Sequence, residues 1–123
     1  MKDGRNCISY AIATDAGLSE PKHGTHPMPL NELLGYYEEV PLDRASIVGG
    51  AVNNGREEVV EHLAKVDPTN KTVATHRVGP GKAVEPVPVA QIISTYSSQI
   101  SLSLRRRPMM SGSDVVNALL DTT

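Results

Sequence analysis

The densest chemistry in this 123-residue chain is the run Arg105, Arg106 and Arg107, closed by Pro108. Guanidinium groups stay charged and present paired N–H donors that match phosphate or carboxylate. Arg77 and Lys82 lie in the same half of the chain and are expected to extend the run. Together these five residues form the predicted contact surface for nucleic acid or an acidic partner. No aromatic residue adjoins the arginines, so nothing there stacks on a base.

A second candidate is "IVGGAVNNGREE", residues 47–58. Gly50 and Gly55 have the spacing of the two glycines in a phosphate-binding loop. That loop also needs Lys to reach phosphate and Ser or Thr to hold magnesium. Arg56 and Glu57 stand there instead, and Glu58 adds repulsion. An anion site built from Gly50, Asn54, Gly55 and Arg56 is therefore the alternative reading. The preferred one makes Asn54 and Glu57 a capping pair that starts a helix over residues 54–66.

Four histidines offer metal-ligand chemistry. His23 and His26 are three apart in "HGTH", and His62 and His76 could join them in space. Zinc favours four nitrogen or sulfur ligands, and one cysteine with scattered histidines is no specific ligand code. No metal and no cofactor is expected. Cys7, the single cysteine, excludes an intrachain disulfide and fits a reducing compartment. A nucleophilic Cys7–His76 pair would require partial exposure and a lowered thiol pKa, whereas a small buried cysteine is the simpler reading. Glu38/Glu39 and Glu57/Glu58 are adjacent pairs on charged faces, not opposed acids in a cleft. No catalytic constellation emerges, and no enzyme is expected.

These residues must be positioned by elements read from periodicity. Ile8, Tyr10 and Ile12 alternate with small residues, which predicts a strand over residues 6–14. Leu30, Leu33, Leu34 and Tyr37 have helical spacing over residues 29–40. Residues 44–54 fit a strand or a helix equally. Residues 72–78 and 99–104 read as strands, and residues 88–96 and 111–120 as helices. Irregular loops are expected near residues 15–29 and 79–88, where Pro and Gly cluster.

Composition bounds the rest. The 29 Ile, Leu and Val residues are enough for a core, but four tyrosines are its only aromatic rings. Net charge is −2, divided into −5 over residues 1–61 and +3 over residues 62–123. No apolar run approaches a membrane span or a secretory signal. The expectation is one α+β domain over residues 1–123, with about three short strands and three to four helices. Its expected role is a noncatalytic interaction or assembly subunit, such as a virus core or nucleoprotein component. A protein partner or self-association is expected, with nucleic acid as the second partner class and no membrane. The chain is expected to be soluble and intracellular, or virion-associated within such an assembly.

Overall fold

The computed structural model describes residues 6–21 and 28–120. Helix α1 spans Cys7–Asp15, and strand β1 is the pair Met28–Pro29. Helix α2 (Leu30–Leu34) leads into β2 (Tyr37–Glu39) and a 3-10 turn at Leu42–Arg44. Strands β3 (Ile47–Asn53), β4 (Glu58–Val66), β5 (Val73–Arg77) and β6 (Val84–Pro88) follow as a meander. Helix α3 (Val89–Thr95), strand β7 (Ile100–Arg106) and helix α4 (Gly112–Leu119) complete the chain.

All seven strands join one antiparallel sheet in the order β2-β7-β3-β4-β5-β6, with β1 paired to β4. This corrects the expected count of about three short strands. Both faces of the sheet are covered. Ile47, Ala51, Val60, Leu63, Leu102 and Leu104 pack against α1, α2 and α4. Val48, Ala64, Val66, Ala74 and Val87 pack against Val89, Ile92 and Tyr96 of the α3 segment.

Four local expectations are overturned for physical reasons. The irregular loop expected near residues 79–88 gives way from Val84 to strand β6, whose backbone pairs with β5. The predicted strand at residues 6–14 is α1. Asn6 caps it by accepting from the Ser9 N–H, and the Ser9 hydroxyl accepts from the Asn6 N–H in return. Ile8, Ala11 and Ile12 then share the buried face at helical spacing.

The predicted helix at residues 54–66 is β4. The pairing slips between Gly50↔His62 and Ala51↔Val60, so Glu61 is an extra residue forming a β-bulge. In a regular strand Val60 and Leu63 would face opposite ways. The bulge puts both against α1 and thereby mimics the i, i+3 spacing of a helix. The helix predicted at residues 29–40 is only α2, after which the chain turns into β2.

The undecided segment, residues 44–54, is strand β3 from Ile47 onward. Its double glycine now has a cause. A Cβ at Gly50 would sit 2.0–2.3 Å from three atoms of the Tyr96 ring. The bare backbone lets that ring approach the sheet closely.

Candidate functional site

The arginine run occupies the end of β7 and the residue after it. Arg106 lies opposite Tyr37 in the β2–β7 ladder, and Arg105 lies opposite Glu38. Directly opposed residues share a face. Arg105 Nε donates to Glu38 Oε1 at 2.7 Å. Arg107 donates from Nε and Nη2 to the Leu34 carbonyl oxygen at 3.2 and 2.8 Å, which holds it across the end of α2. Gly112 leaves room for Arg106: a Cβ there would lie 2.9 Å from an Arg106 guanidinium nitrogen.

The fold adds a fourth arginine that spacing did not reveal. Arg44 reaches this end of the sheet through the 3-10 turn before β3. Arg44, Ser46, Arg105, Arg106, Arg107, Pro108 and Asp15 line a cleft of about 330 Å³. Asp15 is 6% exposed and is held at 2.9 Å from Lys65 Nζ. The Tyr37 hydroxyl also donates to Asp15 at 3.3 Å. Burial, together with that negative neighbour, drives the Tyr37 pKa above its ordinary value and keeps the phenol a donor. The one carboxylate in the wall is thus already compensated. Neither Arg44 nor Arg106 forms a salt bridge with any described residue. The arrangement can take an anionic group with bidentate donors.

Arg77 and Lys82 are not brought to this cleft. Arg77 forms an ion pair with Glu20, donates to the Lys82 carbonyl and lies 5.9 Å from the centre of the Tyr10 ring. It fastens the segment after α1 to β5. In the sheet order β5 is three places from β7, a separation of three spacings of roughly 4.8 Å each.

The glycine-rich alternative is likewise dispersed. Gly50 sits beneath Tyr96 in β3, while Asn54, Gly55 and Arg56 form the β3–β4 turn. Gly55 has φ of +94°, a conformation suited to glycine. The Gly55 N–H donates to Asn53 Oδ1, and the Arg56 and Glu57 N–H groups donate to Asn54 Oδ1. Asn54 therefore does cap exposed backbone donors, but in a hairpin rather than at a helix. Donors satisfied in this way do not converge on a phosphate.

His62 and His76 meet on the α3 side of the sheet. His62 Nε2 and His76 Nδ1 are 2.7 Å apart and share a hydrogen bond, with ring planes at 88°. Burial first, and the neighbouring His76 second, bring the His62 pKa down to about 4. His23 and His26 lie outside the described residues. Cys7 is not part of this pair: its thiol lies 3.8 Å from the Glu61 carbonyl oxygen, and burial raises its pKa. Among the described residues no group of three or more His, Cys, Asp or Glu is arranged to hold a metal. No helix among them is long and apolar enough to cross a membrane.

Comparison with protein-family models, curated proteins and solved structures finds no match to this chain.

Proposed function

We propose that the chain is a noncatalytic interaction module that engages an acidic protein partner through the cleft of Arg44, Arg105, Arg106 and Arg107. The observation that carries this reading is convergence: a turn and a strand end bring four arginine residues to the lining of one cleft. Two of those residues, Arg44 and Arg106, are not spent on ion pairs with described residues. A fixed, planar donor fork favours carboxylate recognition over a diffuse basic surface.

Protein is favoured over nucleic acid on two grounds. No aromatic side chain lines the cleft. The chain carries a net charge of −2, and Arg77 and Lys82 lie away from the cleft, so a long polyanion finds no continuous basic track. In a larger assembly, such a module would fix one neighbour by a local charged contact.

The test uses a labelled glutamate-rich peptide and a labelled single-stranded RNA, each followed by fluorescence anisotropy at low and moderate salt. The peptide is expected to bind more tightly, with an affinity that falls as salt rises. The double variant Arg44→Ala/Arg106→Ala is expected to lose about tenfold or more in peptide affinity. Binding that is unchanged in this variant, or absent at low salt in the unmodified protein, would overturn the reading. Tighter binding of the RNA would transfer the cleft to nucleic-acid contact.

A further inference from the structure

The geometry points to a divalent transition-metal site between His62 and His76, of the type that takes Cu²⁺, Ni²⁺ or Zn²⁺. This inference is independent of the arginine cleft, which shares no lining residue with the histidine cavity.

The two imidazoles come from neighbouring strands β4 and β5 and are set by the sheet itself. They face α3, because His62 pairs with Gly50 and His76 lies two residues beyond Ala74 on the same side. A cavity of about 200 Å³ opens beside them, lined also by Val87, Gln91, Ile92, Thr95 and Tyr96. Neither ring must be gathered from a mobile loop, so little ordering cost remains to be met on binding.

The spacing suits a shared ion. Imidazole nitrogens bind such metals at about 2.0–2.1 Å. Two of them held at a right angle are then about 2.9 Å apart, and at a tetrahedral angle about 3.3 Å apart. The observed separation is 2.7 Å, so a tilt of both rings and a few tenths of an ångström convert a shared proton into a shared metal. The proton balance is simple. Whichever histidine donates in the hydrogen bond moves its proton to its outer nitrogen, His62 Nδ1 or His76 Nε2. Both facing nitrogens then carry lone pairs, and no proton leaves the molecule.

Ligand chemistry selects the metal class. Imidazole nitrogen suits Cu²⁺, Ni²⁺ and Zn²⁺, and no carboxylate lines the cavity to favour Mg²⁺ or Ca²⁺. Water in the cavity would fill the remaining positions. With two protein ligands the site should bind more weakly than a structural three- or four-ligand centre.

The test titrates CuCl₂, NiCl₂ and, as a control, MgCl₂ into the full chain carrying His23→Ala/His26→Ala. Calorimetry should show one Cu²⁺ per chain, bound more tightly than Ni²⁺, and no heat with Mg²⁺. The Tyr96 ring borders the cavity, so Cu²⁺ should quench tyrosine emission, and Tyr96→Phe should reduce that quenching. His62→Gln and His76→Gln should each weaken Cu²⁺ binding about tenfold or more and remove the quenching. One measurement needs no cavity variant: adding ZnCl₂ to the unmodified protein should shift the NMR imidazole resonances of both His62 and His76. Affinity within twofold of the parent in either glutamine variant would overturn the inference. So would unmoved His62 and His76 resonances at saturating ZnCl₂.

Discussion

Gly50 is where one missing atom decides packing. Its Cα faces the Tyr96 ring so closely that even a methyl group must displace the ring or the strand. Gly50→Ala should destabilise the fold by about 1–3 kcal/mol, measured by urea denaturation, because overpacking forces strain into a filled core. A loss below a few tenths would mean that α3 lifts freely from the sheet. Cys7 permits a second test at this scale. Burial raises its thiol pKa, so at neutral pH the thiolate fraction is smaller than in a free cysteine. Alkylation by iodoacetamide should be slow in the native protein, rise only at alkaline pH, and become fast after unfolding. Rapid native alkylation at neutral pH would contradict the placement of Cys7 against β4. At this scale the sequence was a fair guide to chemical identity. The run Arg105–Arg107 is visible in one dimension, and so is a serine cap for the last helix at Ser111 or Ser113, of which the Ser111 hydroxyl accepts from the Asp114 N–H. Arg44 was not visible as their neighbour, because 61 positions of chain separate it from Arg105.

Elements show how pattern and topology diverge. Strand β7 and helices α3 and α4 were legible because each is regular: Ile100, Leu102 and Leu104 alternate, and Val115, Val116 and Leu119 have helical spacing. Strand β4 was misread because the Glu61 bulge changes the phase of its buried side chains midway. Helix α1 was misread because Ile8 and Ile12 satisfy both period two and an i, i+4 pair, and the cap at Asn6 decided the matter. The tie between α1 and β4 can be tested directly. Lys65 and Asp15 form a largely buried pair at 2.9 Å, and the carboxylate is nearly inaccessible to water. Lys65→Met strands that carboxylate and should cost about 3 kcal/mol, whereas the double variant Lys65→Met/Asp15→Asn should recover part of the loss. Equal stability of the single and double variants, measured by chemical denaturation, would show that the pair is uncoupled.

At the scale of the whole molecule, the sheet sorts its basic groups into different tasks. Arg77 is consumed in fastening Glu20 and the Lys82 carbonyl to β5. Arg105 and Arg107 also make contacts, to Glu38 and the Leu34 carbonyl, and both line the same cleft as Arg44 and Arg106. On the proposed reading, the cleft lined by Arg44 and Arg105–Arg107 is where an acidic partner docks. The most direct test of that claim is the affinity of a glutamate-rich peptide for two variants, read by anisotropy at low salt. Arg44→Ala/Arg106→Ala should weaken binding about tenfold or more, while Lys82→Ala should leave it unchanged. A loss confined to Lys82→Ala, with the cleft variant binding like the unmodified protein, would contradict the account.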